Sequence, residues 1–165
     1  MRNTAVCCVS GLLWLGAHVY GADSSFLKDA AQGGMMEVKL GELAQTNASS
    51  QAVKDFGRKM VNDHGHMGED VKGVAARENV SLPSDISMME KVTYDRLSRK
   101  MGADFDKAYI EDMVKDHKSD LAAFEKEVNS GSDPEAKAVA EKALPIIREH
   151  LRMAQQIASQ LGVAQ

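Results

Sequence analysis

Apolar positions recur at helical spacing along nearly the whole of this chain, and clusters of polar turn residues cut the pattern into segments. Apolar residues three, four and seven apart mark one face of a helix. Over residues 51–78 that face reads Val53, Phe56, Met60, Val61, Met67, Val71, Val74 and Ala75. The same spacing predicts helices over residues 24–46, 104–129 and 134–161, and a shorter one over 87–101. The boundaries carry their own chemistry. Asp23, Ser24 and Ser25 are good N-caps, and Asn47 to Ser50 breaks the first helix. Asn79 and then Leu82-Pro83 end the second. Ser87 and Glu90 have capping-box spacing, and Gly102 is expected as a stop or a sharp kink. Asp133 and Pro134 suit the N-cap and first position of the last helix. Pro145 is expected to kink that helix, because it frees the carbonyl of Glu141. The expectation is an all-α four-helix bundle with an extra helix between its two hairpins.

The inward faces are not wholly apolar. Around His64 the helical neighbours are Gly57, Met60, Val61, Met67, Gly68 and Val71, none with a polar side chain. Around His66 they are Lys59, Asn62, Asp63, Glu69, Asp70 and Gly73, so His66 faces water. His117 lies among Ile110, Met113, Val114, Leu121 and Phe124, with Asp120 the one polar neighbour. His150 lies among Ala143, Ile146, Ile147, Met153, Ala154 and Ile157. Glu37 occupies the smallest face, with Ala30, Gly33, Gly34, Leu40, Gly41 and Ala44. Each long helix therefore presents one ligand-type side chain to the core: Glu37, His64, His117 and His150. Glycine in a helix interior costs about 1 kcal/mol relative to alanine. The three glycines about Glu37 are expected to compensate through close approach of another helix. Asp63, Asp116 and Glu149 each precede a histidine and point about 100° away from it, which makes them rim groups rather than ligands.

Composition narrows the function classes. The chain has 165 residues, only three prolines and a formal charge of −4, with no basic stripe, so a nucleic-acid partner is not expected. Arg2, the apolar run from Ala5 to Ala17 and the small-residue stretch VYGA form a secretory signal pattern over residues 1–22. The expected domain is 23–161, with a frayed tail over 162–165. Cys7 and Cys8 leave with the leader, so the mature chain needs no disulfide framework. No segment of the mature chain is expected to span a bilayer as a helix. Export to the periplasm follows; the partner stays unknown, with a homo-oligomer open.

Three imidazoles and a carboxylate facing one core make a site for one divalent transition metal such as Zn, Fe, Mn or Cu. Such binding is expected to weaken below about pH 6, where imidazole protonates. The competing reading is a Glu/His hydrogen-bond network that specifies the fold without metal, in an interaction or structural bundle. Met60, Met67, Met113 and Met153 lie one turn from the histidines, which would suit Cu(I), although methionine is also a common core filler. No nucleophile motif, phosphate loop or separated acid–base pair marks an enzyme.

The blocks FLKDAAQGGMMEVKLGELA, VKDFGRKMVNDH, GADFDKAYIEDMVKDHKSDLAAFE and LPIIREHLRMA, in that order, cover nearly all of the mature chain. They resemble an uncharacterised bacterial family of exported ferritin-like proteins, often labelled predicted outer membrane proteins. The resemblance implies a ferritin-like four-helix domain of no established activity, with Glu37, Asp63, His64, His117 and His150 at the motif positions. A di-iron bundle places a glutamate three residues before a metal-binding histidine. Here those positions hold Val61, Val114 and Ile147.

Overall fold

A computed structural model describes residues 21–163. The apolar run of the expected leader, with Cys7 and Cys8, lies outside the described residues, as do Ala164 and Gln165. Five helices follow in order: α1 (Gly21–Asn47), α2 (Gln51–Arg77), α3 (Met88–Ser98), α4 (Gly102–Ser130) and α5 (Pro134–Leu161). No strand occurs among the described residues. The short turns at 48–50 and 131–133 pair α1 with α2 and α4 with α5 as hairpins, and these pairs pack most extensively. Contacts of α1 with α4 and of α2 with α5 join the hairpins, and α3 lies against α1 and α4. Among the described residues no helix is long and apolar enough to cross a membrane.

The boundary chemistry is mostly as the sequence predicts, but not at the first helix: Asp23, Ser24 and Ser25, expected as N-caps, lie inside α1, and the Asp23 side chain is taken up by the α4–α5 turn. Asn79 adopts φ 56° just beyond α2. Ser87 and Glu90 form the reciprocal capping box, with Glu90 N–H donating to Ser87 Oγ at 3.2 Å. Asp133 accepts from the backbone N–H of Glu135 at 2.8 Å, with Pro134 at the first position of α5. That helix is continuous through Pro145. Gly102 departs from expectation. The segment 87–101 is no extension of α4: α3 ends at Ser98, and Lys100 N–H turns back to the Leu97 carbonyl. Gly102 then opens α4 with φ +60°, a conformation glycine adopts without strain. At the other end, Gly162 caps α5 in the left-handed region, and Val163 N–H bonds the Ala158 carbonyl at 2.9 Å.

Two buried aspartates fasten each hairpin to the turn of the other. Asp106, near the start of α4, accepts from Ser49 N–H, Ser50 N–H and Ser49 Oγ at the α1–α2 turn. Asp23, near the start of α1, accepts from Ser132 N–H, Ser132 Oγ and Asp133 N–H at the α4–α5 turn. Burial pushes the Asp23 carboxyl up, but these bonds outweigh it and hold the group below its usual range.

The core has two parts. One is closed: Phe56, Met60, Phe105, Tyr109, Ile110 and Met113 have no exposed surface, and Phe105 stacks on Tyr109 at 5.5 Å. Here α1 and α2 meet backbone to backbone. A Cβ added to Gly41 would stand 2.6 Å from the Gly57 carbonyl oxygen, and one added to Gly57 would stand 2.7 Å from Ala44 Cβ. The other part gathers Phe26, Leu27, Val71, Val74, Phe124 and Ile147, with Phe26 edge-on to Phe124 at 4.9 Å. It is looser. A Cβ at Gly33 or Gly34 would meet nothing within 4 Å. Of the three glycines expected to permit close helix approach, only Gly41 does so.

Candidate metal centre

His64 on α2, His117 on α4 and His150 on α5 converge where the two parts of the core meet. They are 5%, 0% and 0% exposed, and their ring centroids lie 5.3–5.7 Å apart. One ring nitrogen from each lies within 4.8 Å of the others. Phe56 closes one side, its ring 6.4 Å from both His117 and His150. His66 is exposed.

Two fixed bonds decide which nitrogens face inward. His117 Nδ1 lies 2.9 Å from the Met113 carbonyl oxygen, which can only accept. Nδ1 therefore carries the proton, and Nε2 presents its lone pair. His150 Nε2 lies 2.7 Å from Asp63 Oδ2. Burial pushes the Asp63 carboxyl up, but bonds from Lys59 and His150 outweigh this, so it is ionised and only accepts. His150 Nε2 is then the donor, and Nδ1 presents its lone pair. These two lone-pair nitrogens stand 3.4 Å apart. His64 Nε2 is buried with no hydrogen-bond partner among the described residues.

Facing lone pairs repel unless a cation lies between them. A proton is one candidate, but burial and then the charge of a neighbouring imidazolium push His117 down to about 4. Burial likewise lowers His64, well below the ordinary value, and His150. At neutral pH the triad is three neutral imidazoles. A metal ion fits the same gap: two nitrogens bound tetrahedrally at about 2.0–2.1 Å stand about 3.3–3.4 Å apart. The outer bonds are also those of ligating histidines, whose second N–H goes to a carbonyl or carboxylate.

The fourth predicted residue lies elsewhere. Glu37 is 4% exposed but outside the histidine group. Its carboxyl is pushed well above the usual range by burial, then by Asp120, Asp116 and Asp112 along α4. Glu37 Oε2 and the Tyr109 hydroxyl are both buried without a partner among the described residues. The carboxylate at the triad is instead Asp63, whose side chain is 24% exposed and also pairs with Lys59 at 2.8 Å. It touches no lone pair of the site, but it orients His150 from a different helix. Its position directly before His64, and its place among the motif positions that the resemblance implied, were the signals available. Glu149, in the matching position before His150, pairs with Arg152 at the surface. Asp116 lies half-buried, and burial and Asp112 raise it to about 6.

A cavity of about 130 Å³ in the looser part of the core reaches one member of the triad, His64. Buried His64 lines it, and so do the exposed residues Asp29, Ala123 and Lys142.

Residues 16–157 match the family model described as a domain of unknown function, DUF4142. The chain belongs to the DUF4142 family. No curated protein matches it. Among solved structures it is similar to a DUF305 protein from Streptomyces coelicolor, with a TM-score of 0.73 and 13% identity over 86% of this chain and 92% of that one. A DUF305 fragment from Deinococcus radiodurans gives 0.74 and 12%, over 84% and 95%. CopM in its Cu(I)-bound form gives 0.70 and 16%, over 84% and 96%. These likenesses establish a shared helical fold.

Proposed function

We propose that this protein is an exported metal-binding bundle of the cell envelope that holds one transition-metal ion between His64, His117 and His150. The observation that carries the reading is the pair of lone-pair nitrogens 3.4 Å apart, each fixed by a bond on the far side of its ring. The rival hydrogen-bond network is left with an unpartnered nitrogen on His64. Di-iron chemistry of the ferritin kind has no support, since Val61, Val114 and Ile147 stand where bridging carboxylates would be.

Within this reading the ion is Cu(I). Three neutral donors in an apolar core favour the lower charge, because burying charge grows costly faster than the ligands can offset it. Asp63 behind His150 is shared with Lys59, so the site has little negative charge to offset a divalent ion. Met60 and Met113, fully buried one turn from His64 and His117, add soft surroundings. A fold neighbour, CopM, is known in a Cu(I)-bound form. The bound ion would supply no reaction by itself; storage or transfer of the metal is the role that follows.

The test is a thermal melt of apo protein with Cu(I) under reducing, anaerobic conditions, and in parallel with Cu(II) and Zn(II). Ligand at about 100 times Kd stabilises by about 2.7 kcal/mol, which moves the midpoint by roughly 5–10 °C for a domain of this size. Alanine at His64, His117 or His150 should abolish the shift, while Glu37→Gln and His66→Ala should keep it. Burial holds all three imidazoles below their ordinary value, so proton competition is moved to lower pH than for a free imidazole. The shift should shrink as pH falls and be lost by about pH 4, where His117 itself titrates. If no metal raises the midpoint, the structural network is the better reading. Loss of the shift in Glu37→Gln would restore Glu37 as a ligand.

A further inference from the structure

The triad is almost sealed, so an ion needs a way in. We propose that the cavity beside His64 is the passage by which the metal reaches the three histidines, and that glycines keep it open. This rests on the metal reading above. Gly33 and Gly34 on α1 and Gly68 on α2 all border the cavity. A Cβ on any of them would meet nothing within 4 Å, so no neighbouring helix requires glycine there. Each weakens its helix relative to alanine. Gly41 and Gly57, by contrast, are demanded by backbone contact. What the three cavity glycines preserve is open volume between all four long helices, ending at a buried imidazole whose Nε2 has no partner.

The walls suit a soft cation in transit. Acidic side chains of Asp29, Asp70 and Asp120 line the cavity and favour positive charge within it, Asp120 less than the others because burial and then Asp116 push it up to about 7. Asp70 pairs with Lys142 at 2.7 Å on the exposed side. Met67 lines the wall one turn from His64, giving a thioether from which an ion can pass to imidazole by ligand exchange. The ion changes ligands and not oxidation state along this route.

The experiment measures Cu(I) uptake by apo protein from a coloured chelator in stopped flow, and Kd by chelator competition at equilibrium. Gly34→Leu and Gly68→Leu add bulk at two residues that line the cavity, where a Cβ meets nothing within 4 Å. Both should slow uptake and release by about tenfold or more, a barrier higher by about 1.4 kcal/mol, at nearly unchanged Kd. Their melting points should rise, which separates plugging from misfolding. Gly65→Leu is the control: Gly65 is on the same helix, exposed and away from the cavity, and its Cβ also meets nothing within 4 Å. It should load at the wild-type rate. If wild type binds Cu(I) and both plugged variants load as fast as it does, the passage is refuted and the triad reading stands. If wild type takes up no metal, both are refuted.

Discussion

The two parts of this core use glycine for opposite purposes. In the closed part, Gly41 and Gly57 let α1 and α2 touch through their backbones, and the space is filled by Phe56, Phe105 and Tyr109. In the looser part, Gly33, Gly34 and Gly68 border a cavity of about 130 Å³. The two turn clamps differ in the same sense. Asp106 serves the α1–α2 turn with a plain set of backbone and hydroxyl donors. Asp23 serves the α4–α5 turn beside a second buried carboxyl, Glu127, whose Oε1 has no partner among the described residues. Burial, then its bond to Asp23 and the Asp23 charge, push Glu127 up to about 7. The histidines sit between a half built for tight packing and a half that gives up stability. A residue type alone does not say which purpose it serves; the neighbour an added methyl would meet does.

The contrast breaks first at Gly41. Alanine there would thrust Cβ against the Gly57 carbonyl, backbone that cannot rotate away. The loss should be on the order of 3 kcal/mol by denaturant unfolding. A change below about 0.5 kcal/mol would show that the closed half is not closed.

The second test concerns Glu127. Its folded pKa of about 7 lies above its ordinary value of 4.5, so between them the folded state holds a proton that the unfolded chain has released. Stability from this group is therefore present below 4.5 and is lost as pH rises through about 7. Glu127→Gln keeps a neutral donor beside Asp23. It should stabilise the protein by roughly 2 kcal/mol at about pH 8 and by almost nothing at about pH 4. A gain independent of pH would mean that packing, not charge, is at issue.

The smallest effect is Gly34→Ala. With no neighbour for the new methyl, the helix should gain about 1 kcal/mol. A loss of that size would place Gly34 with Gly41 and remove the contrast.

How much of this was legible beforehand differs residue by residue. The inward phase of His64, His117 and His150 and the outward phase of His66 followed from neighbours on the same helix. The separation of Glu37 did not. Its face is as apolar as theirs, but meeting the triad depends on how α1 is rotated and shifted against α4, where a few ångströms suffice to exchange one partner for another. Asp63 was visible as an acid beside a histidine, yet its partner is the histidine of a different helix.

The sequence by itself determined the helices, the caps of α3 and α5 and which side of each long helix faces the core. Those properties are set by residues at most one or two turns apart, and a periodicity of 3.6 records them directly. Only the tertiary structure decided that three of the four inward groups share a site, which nitrogens they turn toward each other, and which glycines are contacts and which are walls of a cavity. Those outcomes depend on distances between helices, and local spacing carries no measure of them.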